Sequence, residues 1–535
     1  MESYRKAFAE PRYERIAETF RWQIPDHFNI ADAVCGRHAR GADGLALIDI
    51  DLSGTAHPWR FSELDRRSNR LANALRAHGV GRQDRVGLIM GQRVDTLLIH
   101  LALYKLGAIA VPLFRLFGGD ALRFRLADCG AVALLADDGS FQIADGLRSE
   151  LPELKLLWNV DHEGYARLLD QASDQLRPVV TRTDDPALII YTSGTTGSPK
   201  GALHAHRVLL GHLPGVQMPH ERFPKADDRF WTPADWAWIG GLLDVLLPSL
   251  YFGVPVIAQA PQKFDPEAAL SMLAAHDARN LFMPPTALRK LKEVDPVPPA
   301  GLRLRTIGSG GEPLGDDLVG WIRDRLGVTV NEFYGQTEAN LLVSGMAGCF
   351  ERTPGRIGRA VPGRRIGIVG PDARALAPGE EGEIAVQRPD PVMFLRYWNQ
   401  PEATAAKFAG DWLLTGDQGV MDERGAVRFL GRADDIINSA GYRIGPAEVE
   451  AAVADHDQVA AVCAFGLSDA VRGQVVALAV VPRPGVAADD ALAERLAARG
   501  VARVGAHARP RHIRWLDSLP TTATGKVRRR ELQDA

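Results

Sequence analysis

Cysteine is scarce in this chain. Cys35, Cys129, Cys349 and Cys463 are the four among 535 residues, and no two stand in C-x-x-C spacing. That argues against a disulfide scaffold or a zinc site and fits a reducing cytoplasm. A basic excess is missing too. The 63 lysines and arginines meet 66 acidic residues, leaving a net charge of −3. A nucleic-acid partner would show as surplus positive charge, so none is expected. The segment from Met1 to Lys6 lacks the apolar core of a secretory signal. Glu2, Glu10 and Glu14 are foreign to an organelle transit peptide. One long uncharged run exists, residues 245–262, and Pro248, Gly253, Pro255 and Pro261 break it. It reads as a buried helix end, a turn and a strand, not as a membrane span. No internal repeat or low-complexity tract stands out.

What remains is the composition of a soluble globular protein, 46% hydrophobic and 24% charged. A chain this long exceeds one ordinary core, so two or more domains are expected. The first four-fifths alternates helical and strand patterns. Residues 67–78 have helical apolar spacing, 84–90 are strand-like, 96–106 helical, and 107–112 a short apolar strand. Such alternation predicts layered parallel α/β structure, with ligands at the carboxyl ends of strands. Residues 302–307 read as one such strand, ahead of Ser309-Gly310-Gly311-Glu312. After about Gly431 the pattern changes. Pro446 opens a helix, 459–466 and 475–482 are strand-like, and 489–499 is helical. This predicts a large N-terminal α/β domain over residues 1–431 and a small α+β domain over 432–535.

The most informative stretch runs from Tyr191 to Gly201. An apolar strand, 187–190, leads into Thr192, Ser193, Gly194, Thr195, Thr196, Gly197, Ser198, Pro199 and Lys200. Glycines let backbone approach a polyphosphate, hydroxyls and amides donate to it, and the lysine adds charge. It is not a Walker A loop, because Ser198 and Pro199 separate Gly197 from Lys200. Taken alone, such a loop is equally a plain turn. Further motifs follow in order: Gly310-Gly311-Glu312-Pro313, Tyr334-Gly335-Gln336-Thr337-Glu338, Thr415-Gly416-Asp417, residues 431–437, and residues 520–526 ending in Gly525-Lys526. Together they resemble the adenylate-forming superfamily of acyl-CoA synthetases, peptide-synthetase adenylation domains and luciferases. Phe28-Asn29-Ile30-Ala31 and the segment Thr232–Gly240 resemble its acetyl-CoA and medium-chain acyl-CoA synthetase branch. Two positions depart from the pattern. Thr521 stands where a basic residue is usual, and Ala339 where threonine is common.

The resemblance implies an ATP- and Mg²⁺-dependent activation of a carboxylic acid to acyl-AMP, then transfer to coenzyme A. It implies that Thr192, Ser193, Gly194, Thr195, Thr196, Gly197 and Lys200 hold the β- and γ-phosphates. Gly311, Glu312 and Pro313 would frame adenine, with Tyr334 stacking and Gln336 nearby. Thr337 would touch the α-phosphate, Glu338 would ligate magnesium, and Asp417 with Arg432 would bind ribose hydroxyls. A single glutamate suits magnesium, which takes one or two carboxylates beside phosphate oxygens. Lys526 would neutralise transition-state charge, and Asp434 would be the hinge on which the small domain turns. Gly441, Tyr442 and Arg443 would lie along the approach of coenzyme A. Taken alone, Glu338 is a solvated glutamate, Asp417 a turn residue, Lys526 a solvated lysine, residues 439–444 an ordinary turn, and Arg528-Arg529-Arg530 a solvated basic face.

Acetyl-specific members of the family carry tryptophan just before Q-T-E, and this chain has Gly335. The missing indole is expected to open acyl space, with Trp238 and Leu341 as walls. Each buried methylene is worth about 0.8 kcal/mol, so a short-to-medium chain, branched or aromatic acid is expected over acetate. An acceptor on a phosphopantetheinyl carrier protein is the alternative to coenzyme A. A non-catalytic nucleotide-binding regulator is a remoter one, and damage at Lys526, Glu338 or Asp417 would mark it. Acylation of Lys526 would remove its charge and is expected to stop adenylation.

Overall fold

The computed structural model describes residues 2–192, 199–259, 264–432, 435–439, 442–469, 472–504, 506–522 and 527–533. Among them the strands form four sheets, of nine, seven, five and five strands. No described helix is long and apolar enough to cross a membrane.

The first sheet has a parallel centre. Strands Val330–Tyr334, Thr306–Gly310, Asn280–Phe282, Phe230–Trp231, Val256–Ala258 and Leu45–Ile50 lie side by side in that order. Phe230–Trp231, Val256–Ala258, Asn280–Phe282 and Thr306–Gly310 are buried along their whole length, as suits strands covered on both faces. The second sheet is parallel from Leu156–Asn159 through Ala133–Ala136, Arg85–Ile89 and Ile109–Pro112 to Pro186–Thr192. It ends in two antiparallel strands, Lys200–Ala205 and Arg396–Tyr397. The third sheet is antiparallel and includes Glu381–Gln387, Trp412–Met421 and Val427–Arg432. The fourth belongs to the C-terminal unit, where Val459–Asp469 and Gly473–Pro482 form a long hairpin beside helices Pro446–Ala454 and Asp490–Arg503. These elements match the expected alternation and the later change of pattern.

Two local expectations need revision. The strand expected at 302–307 runs instead over Thr306–Gly310. Leu302 and Leu304 pack on the core without ladder pairing, and Ser309 and Gly310 lie inside the strand. Asp417, a turn residue on the plainest reading, sits within the strand Trp412–Met421. The uncharged run at 245–262 behaves as expected through Ala258. The helix Leu247–Phe252 ends at the left-handed Gly253, and Val256–Ala258 joins the first sheet.

The interior holds several neutral histidines. His100, His204 and His212 have no exposed surface, and burial pushes each imidazole down to about 3. Desolvation disfavours the charged ring. Buried carboxyls shift the other way, Asp49 and Asp235 up to about 6, so total stability is a blunt reader of either group. The ring signals are a sharper one. In carbon-edited NMR, these three histidines are expected to show no titration between pH 8 and 5, against added free imidazole as the titrating reference.

Candidate active site

The strands that flank the expected phosphate loop, Pro186–Thr192 and Lys200–Ala205, pair antiparallel. Thr192 faces Lys200 across the ladder, and its hydroxyl donates to the Lys200 carbonyl at 3.3 Å. Ser193, Gly194, Thr195, Thr196 and Gly197 lie outside the described residues. The Tyr191 hydroxyl donates to Asp128 at 2.6 Å, tying this strand end to the helix Gly119–Cys129. The Lys200 ammonium stands 5.2 Å from the ring centre of Tyr397. That strand neighbour was not among the residues expected from the sequence.

Asp417 gathers the residues expected on the ribose side. Tyr334 donates its hydroxyl to Asp417 Oδ2 at 2.5 Å, and Gln336 Nε2 donates to the same oxygen at 2.6 Å. Gln336 also reaches the Thr415 carbonyl at 2.7 Å. Arg432 pairs directly across the ladder from Asp417, its guanidinium 3.7 Å from Oδ1. The expected pair is therefore adjacent, and Tyr334 and Gln336 complete it. Burial pushes the Asp417 carboxyl above the usual range, opposed mainly by Arg432.

Glu338 is buried at 8% exposure, on the loop after strand Val330–Tyr334. Its carbonyl accepts from the Phe394 amide at 2.8 Å, and its Oε1 accepts from the Tyr397 hydroxyl. That leaves a carboxylate oriented by protein on one oxygen. Such a donor fits magnesium, which is satisfied by one protein carboxylate plus phosphate oxygens. Thr337 lies beside it, its backbone near the buried His204. Lys407 is a further cation here. Its ammonium donates to the carbonyls of Leu414 and Thr415 at 3.0 and 3.2 Å. Burial lowers its pKa, while the charges of Glu338 and Asp417 work against that.

Beneath this loop runs a buried polar network. The fully buried Arg364 donates to the carbonyls of Leu341 and Gly211 at 2.7 and 2.8 Å and to Asp390 at 3.0 Å. Asn340 donates to the buried Asp244 at 2.7 Å. Long-range pairings of this kind leave no local signal, which is why the sequence did not reveal them.

The turn expected to frame adenine meets the candidate acyl walls. Gly311 has φ +93°, and a Cβ there would lie 3.1 Å from the Trp238 ring. Trp238 packs on Phe282 at 5.5 Å, and Phe282 on Phe333 at 5.2 Å. Glu312 accepts from Thr286 at 2.7 Å and Arg289 at 2.9 Å, and Arg289 also reaches the Pro313 carbonyl at 3.1 Å. The steric argument built on Gly335 needs correction. A Cβ at Gly335 would meet the Leu341 nitrogen at 2.4 Å and Asn340 Cα at 2.7 Å. That space is filled by the returning backbone, so it is not an opening. Leu341 is buried in the same apolar core that Trp238 packs against, with its side chain against Gly215.

In the C-terminal unit, Asp434, Gly441 and Lys526 lie outside the described residues. Tyr442 and Arg443 belong to the strand Tyr442–Ile444, and their side chains are likewise undescribed. Arg529 corrects the expected solvated basic face. It donates to Glu450 at 2.6 Å, Asp435 at 3.1 Å and the Ala464 carbonyl at 3.2 Å. Residues 529 and 532 share the inner face of the helix Arg529–Gln533, while Arg528 and Arg530 point outward.

A family model described as "AMP-binding enzyme" matches residues 37–398, and one described as "AMP-binding enzyme C-terminal domain" matches 448–526. The chain is similar to the human mitochondrial acyl-coenzyme A synthetase ACSM2B, 32% identical and covering 96% of this chain and 91% of that protein. It is similar to an acetyl-coenzyme A synthetase of Bacillus subtilis (strain 168), 30% identical over 89% and 84% of the two chains. Among solved structures it resembles the anthranilate CoA ligase AuaEII in complex with anthranoyl-AMP. There the TM-score is 0.87 at 25% identity, over 96% of this chain and 98% of that one.

Two outcomes follow from this geometry. Acidification should weaken AMP binding through Asp417. Its raised pKa means that the ionised acceptor is lost, as pH falls, earlier than for an ordinary carboxylate. In Asp417→Asn, calorimetry should find AMP bound at least ten-fold more weakly, with no step at that pH. Arg529→Ala should lower stability by about 2 kcal/mol in chemical denaturation, because it strips Glu450 and Asp435 of their shared cation.

Proposed function

The chain belongs to the AMP-binding enzyme family, and on that premise we propose how its site serves an ATP-dependent, AMP-forming acyl-CoA synthetase. A carboxylate oxygen of the acid attacks the α-phosphorus of ATP. The bond to pyrophosphate breaks, and acyl-AMP forms. The sulfur of coenzyme A then attacks the acyl carbon and AMP departs. Both steps move charge onto phosphate oxygens, so the site needs oriented cations and donors more than a general base.

We assign the ribose to Asp417 and Arg432, and the adenine face to the turn Gly311–Pro313 beside Tyr334. Lys200, with the hydroxyl loop before it, holds the outer phosphates. Thr337 touches the α-phosphate. Glu338 holds the magnesium, which supplies charge neutralisation on the triphosphate. Lys526 joins from the small domain, 432–535 in our division, with Asp434 as its hinge. Gly441, Tyr442 and Arg443 line the approach of coenzyme A. The observation that carries this reading is the convergence of Tyr334, Gln336 and Arg432 on the single carboxylate of Asp417.

For the acid, the Trp238 ring beside Gly311, backed at tilted angles by the buried Phe282 and Phe333, supports a short-to-medium, branched or aromatic carboxylate. Such an apolar surface gains more from a ring or branched chain than from a methyl group. All four cysteines are free thiols, which supports a cytoplasmic setting. Acylation of Lys526 would remove the mobile cation and offers a means of control.

Release of AMP and pyrophosphate is the direct test, with ATP, Mg²⁺ and coenzyme A across acetate, butyrate, isobutyrate, hexanoate, octanoate and benzoate. Turnover that depends on coenzyme A and peaks beyond acetate is expected. A strict acetate preference would overturn the acid assignment. Acyl-AMP without thioester would move the acceptor to a carrier protein. Lys526→Ala should lose adenylation by at least a hundred-fold and keep thioester formation from supplied acyl-AMP.

A further inference from the structure

Tyr397 joins two functional groups through the two ends of one ring. Its hydroxyl donates to Glu338 Oε1, and its face lies under the Lys200 ammonium at 5.2 Å from the centroid. Both contacts are built into the backbone. The strand Arg396–Tyr397 pairs antiparallel with Lys200–Ala205, Tyr397 opposite Ala202 and Arg396 opposite Leu203. The Trp398 amide donates to the Gly201 carbonyl at 2.7 Å, and the Phe394 amide to the Glu338 carbonyl at 2.8 Å. The Tyr397 amide is itself held by Thr404 Oγ1 at 3.0 Å. The side chain is 4% exposed and packs edge-on against Phe394 at 4.9 Å. Little freedom remains for its hydroxyl to point elsewhere.

This arrangement solves a problem specific to the site. An ammonium and a carboxylate set close together in a partly buried cleft attract each other strongly. A direct ion pair between Lys200 and Glu338 would spend both on each other before a nucleotide arrived. One aromatic ring prevents this by offering a separate partner to each. The cation takes the π-face, and the carboxylate takes the hydroxyl. Among the described residues the phenol holds this carboxylate at Oε1, and Oε2 would be the oxygen offered to a metal.

We propose that Tyr397 is a positioning residue for magnesium: it fixes the carboxylate of Glu338 so that one oxygen faces the metal, and it keeps that carboxylate apart from Lys200. The proposal rests on the assignment of Glu338 as the metal ligand. A hydrogen-bonding partner behind a metal ligand is commonly worth ten- to a hundred-fold in metal affinity. Tyr397→Phe removes the hydroxyl alone and keeps the ring face for Lys200.

The test uses the full-length protein with Mn²⁺ as a spectroscopic substitute for Mg²⁺. Binding of Mn²⁺ in the presence of a non-hydrolysable ATP analogue is followed by electron paramagnetic resonance. Binding of AMP without metal is measured by calorimetry. Wild type, Tyr397→Phe, Glu338→Gln and the double variant are compared. Tyr397→Phe is expected to weaken Mn²⁺ binding about ten-fold, with AMP affinity within about two-fold of wild type. In the Glu338→Gln background the same change is expected to have no further effect on Mn²⁺. Equal loss of AMP and Mn²⁺ binding would make Tyr397 merely structural and overturn the proposal. So would an undiminished effect in the Glu338→Gln background, or wild-type Mn²⁺ affinity in Tyr397→Phe. If Glu338→Gln itself binds Mn²⁺ normally, the assignment of Glu338 falls, and the proposal with it.

Discussion

Three separate strands meet at one buried carboxylate, that of Asp417. It lies on the strand Trp412–Met421 of the third sheet, and Arg432 reaches it from the neighbouring strand. Tyr334 and Gln336 arrive from the end of a first-sheet strand and the loop after it. A charge taken out of water is tolerated only with partners, and here the partners come from different sheets. The requirement to satisfy Asp417 therefore sets how the antiparallel third sheet sits against the parallel first. Once that junction is made, the strand around Gly416 and the Gln336–Glu338 loop have fixed positions. In the proposed role, a nucleotide sugar would meet a carboxylate whose orientation is already settled, with little reorganisation left for binding.

The loop that carries Glu338 is secured from three sides. Above, Tyr397 and the Phe394 amide hold the glutamate itself. Beneath, Arg364 binds the carbonyls of Leu341 and Gly211 while paired with Asp390. To the side, Asn340 is held by Asp244 on the π-helical turn Gly240–Leu246. Every one of these is a hydrogen bond to charge or to backbone in a dry interior. Such networks are costly if one member is missing and rigid when complete. Rigidity suits a site whose catalysis is mostly placement of cations and donors around a developing phosphate charge.

Much of this was legible in the sequence, for a physical reason. The runs expected to meet phosphate, adenine and metal are short, small and polar, and those at Lys200, Gly311 and Glu338 stand at or just past strand ends, where the sequence pattern put them. The alternation of helical and strand periods likewise exposed the layered N-terminal part. The residues that were missed act over distance. Tyr397 is 59 positions from Glu338, and Arg364 is 153 from Gly211. Neither stands in a pattern with its partner. The error at Gly335 has a similar origin. A missing side chain reads as space, but here the chain turns back and its own backbone fills the volume. At 302–307 the apolar residues were real, yet ladder partners at Asn280–Phe282 and Val330–Tyr334 placed the strand over Thr306–Gly310 despite its glycines. Tertiary pairing overrode local propensity. Arg529 shows the reverse case, where a basic run concealed one residue on the buried face of a helix.

The central claim is that the acid is activated by attack of its own oxygen on the α-phosphorus. A carboxylic acid labelled with ¹⁸O in both carboxyl oxygens tests this most directly, with ATP, Mg²⁺ and coenzyme A and phosphorus NMR or mass spectrometry of the products. The account predicts that one labelled oxygen appears in the phosphate of AMP and none in pyrophosphate. Label in inorganic phosphate with ADP as the nucleotide product, or unlabelled AMP beside newly formed acyl-CoA, would contradict it.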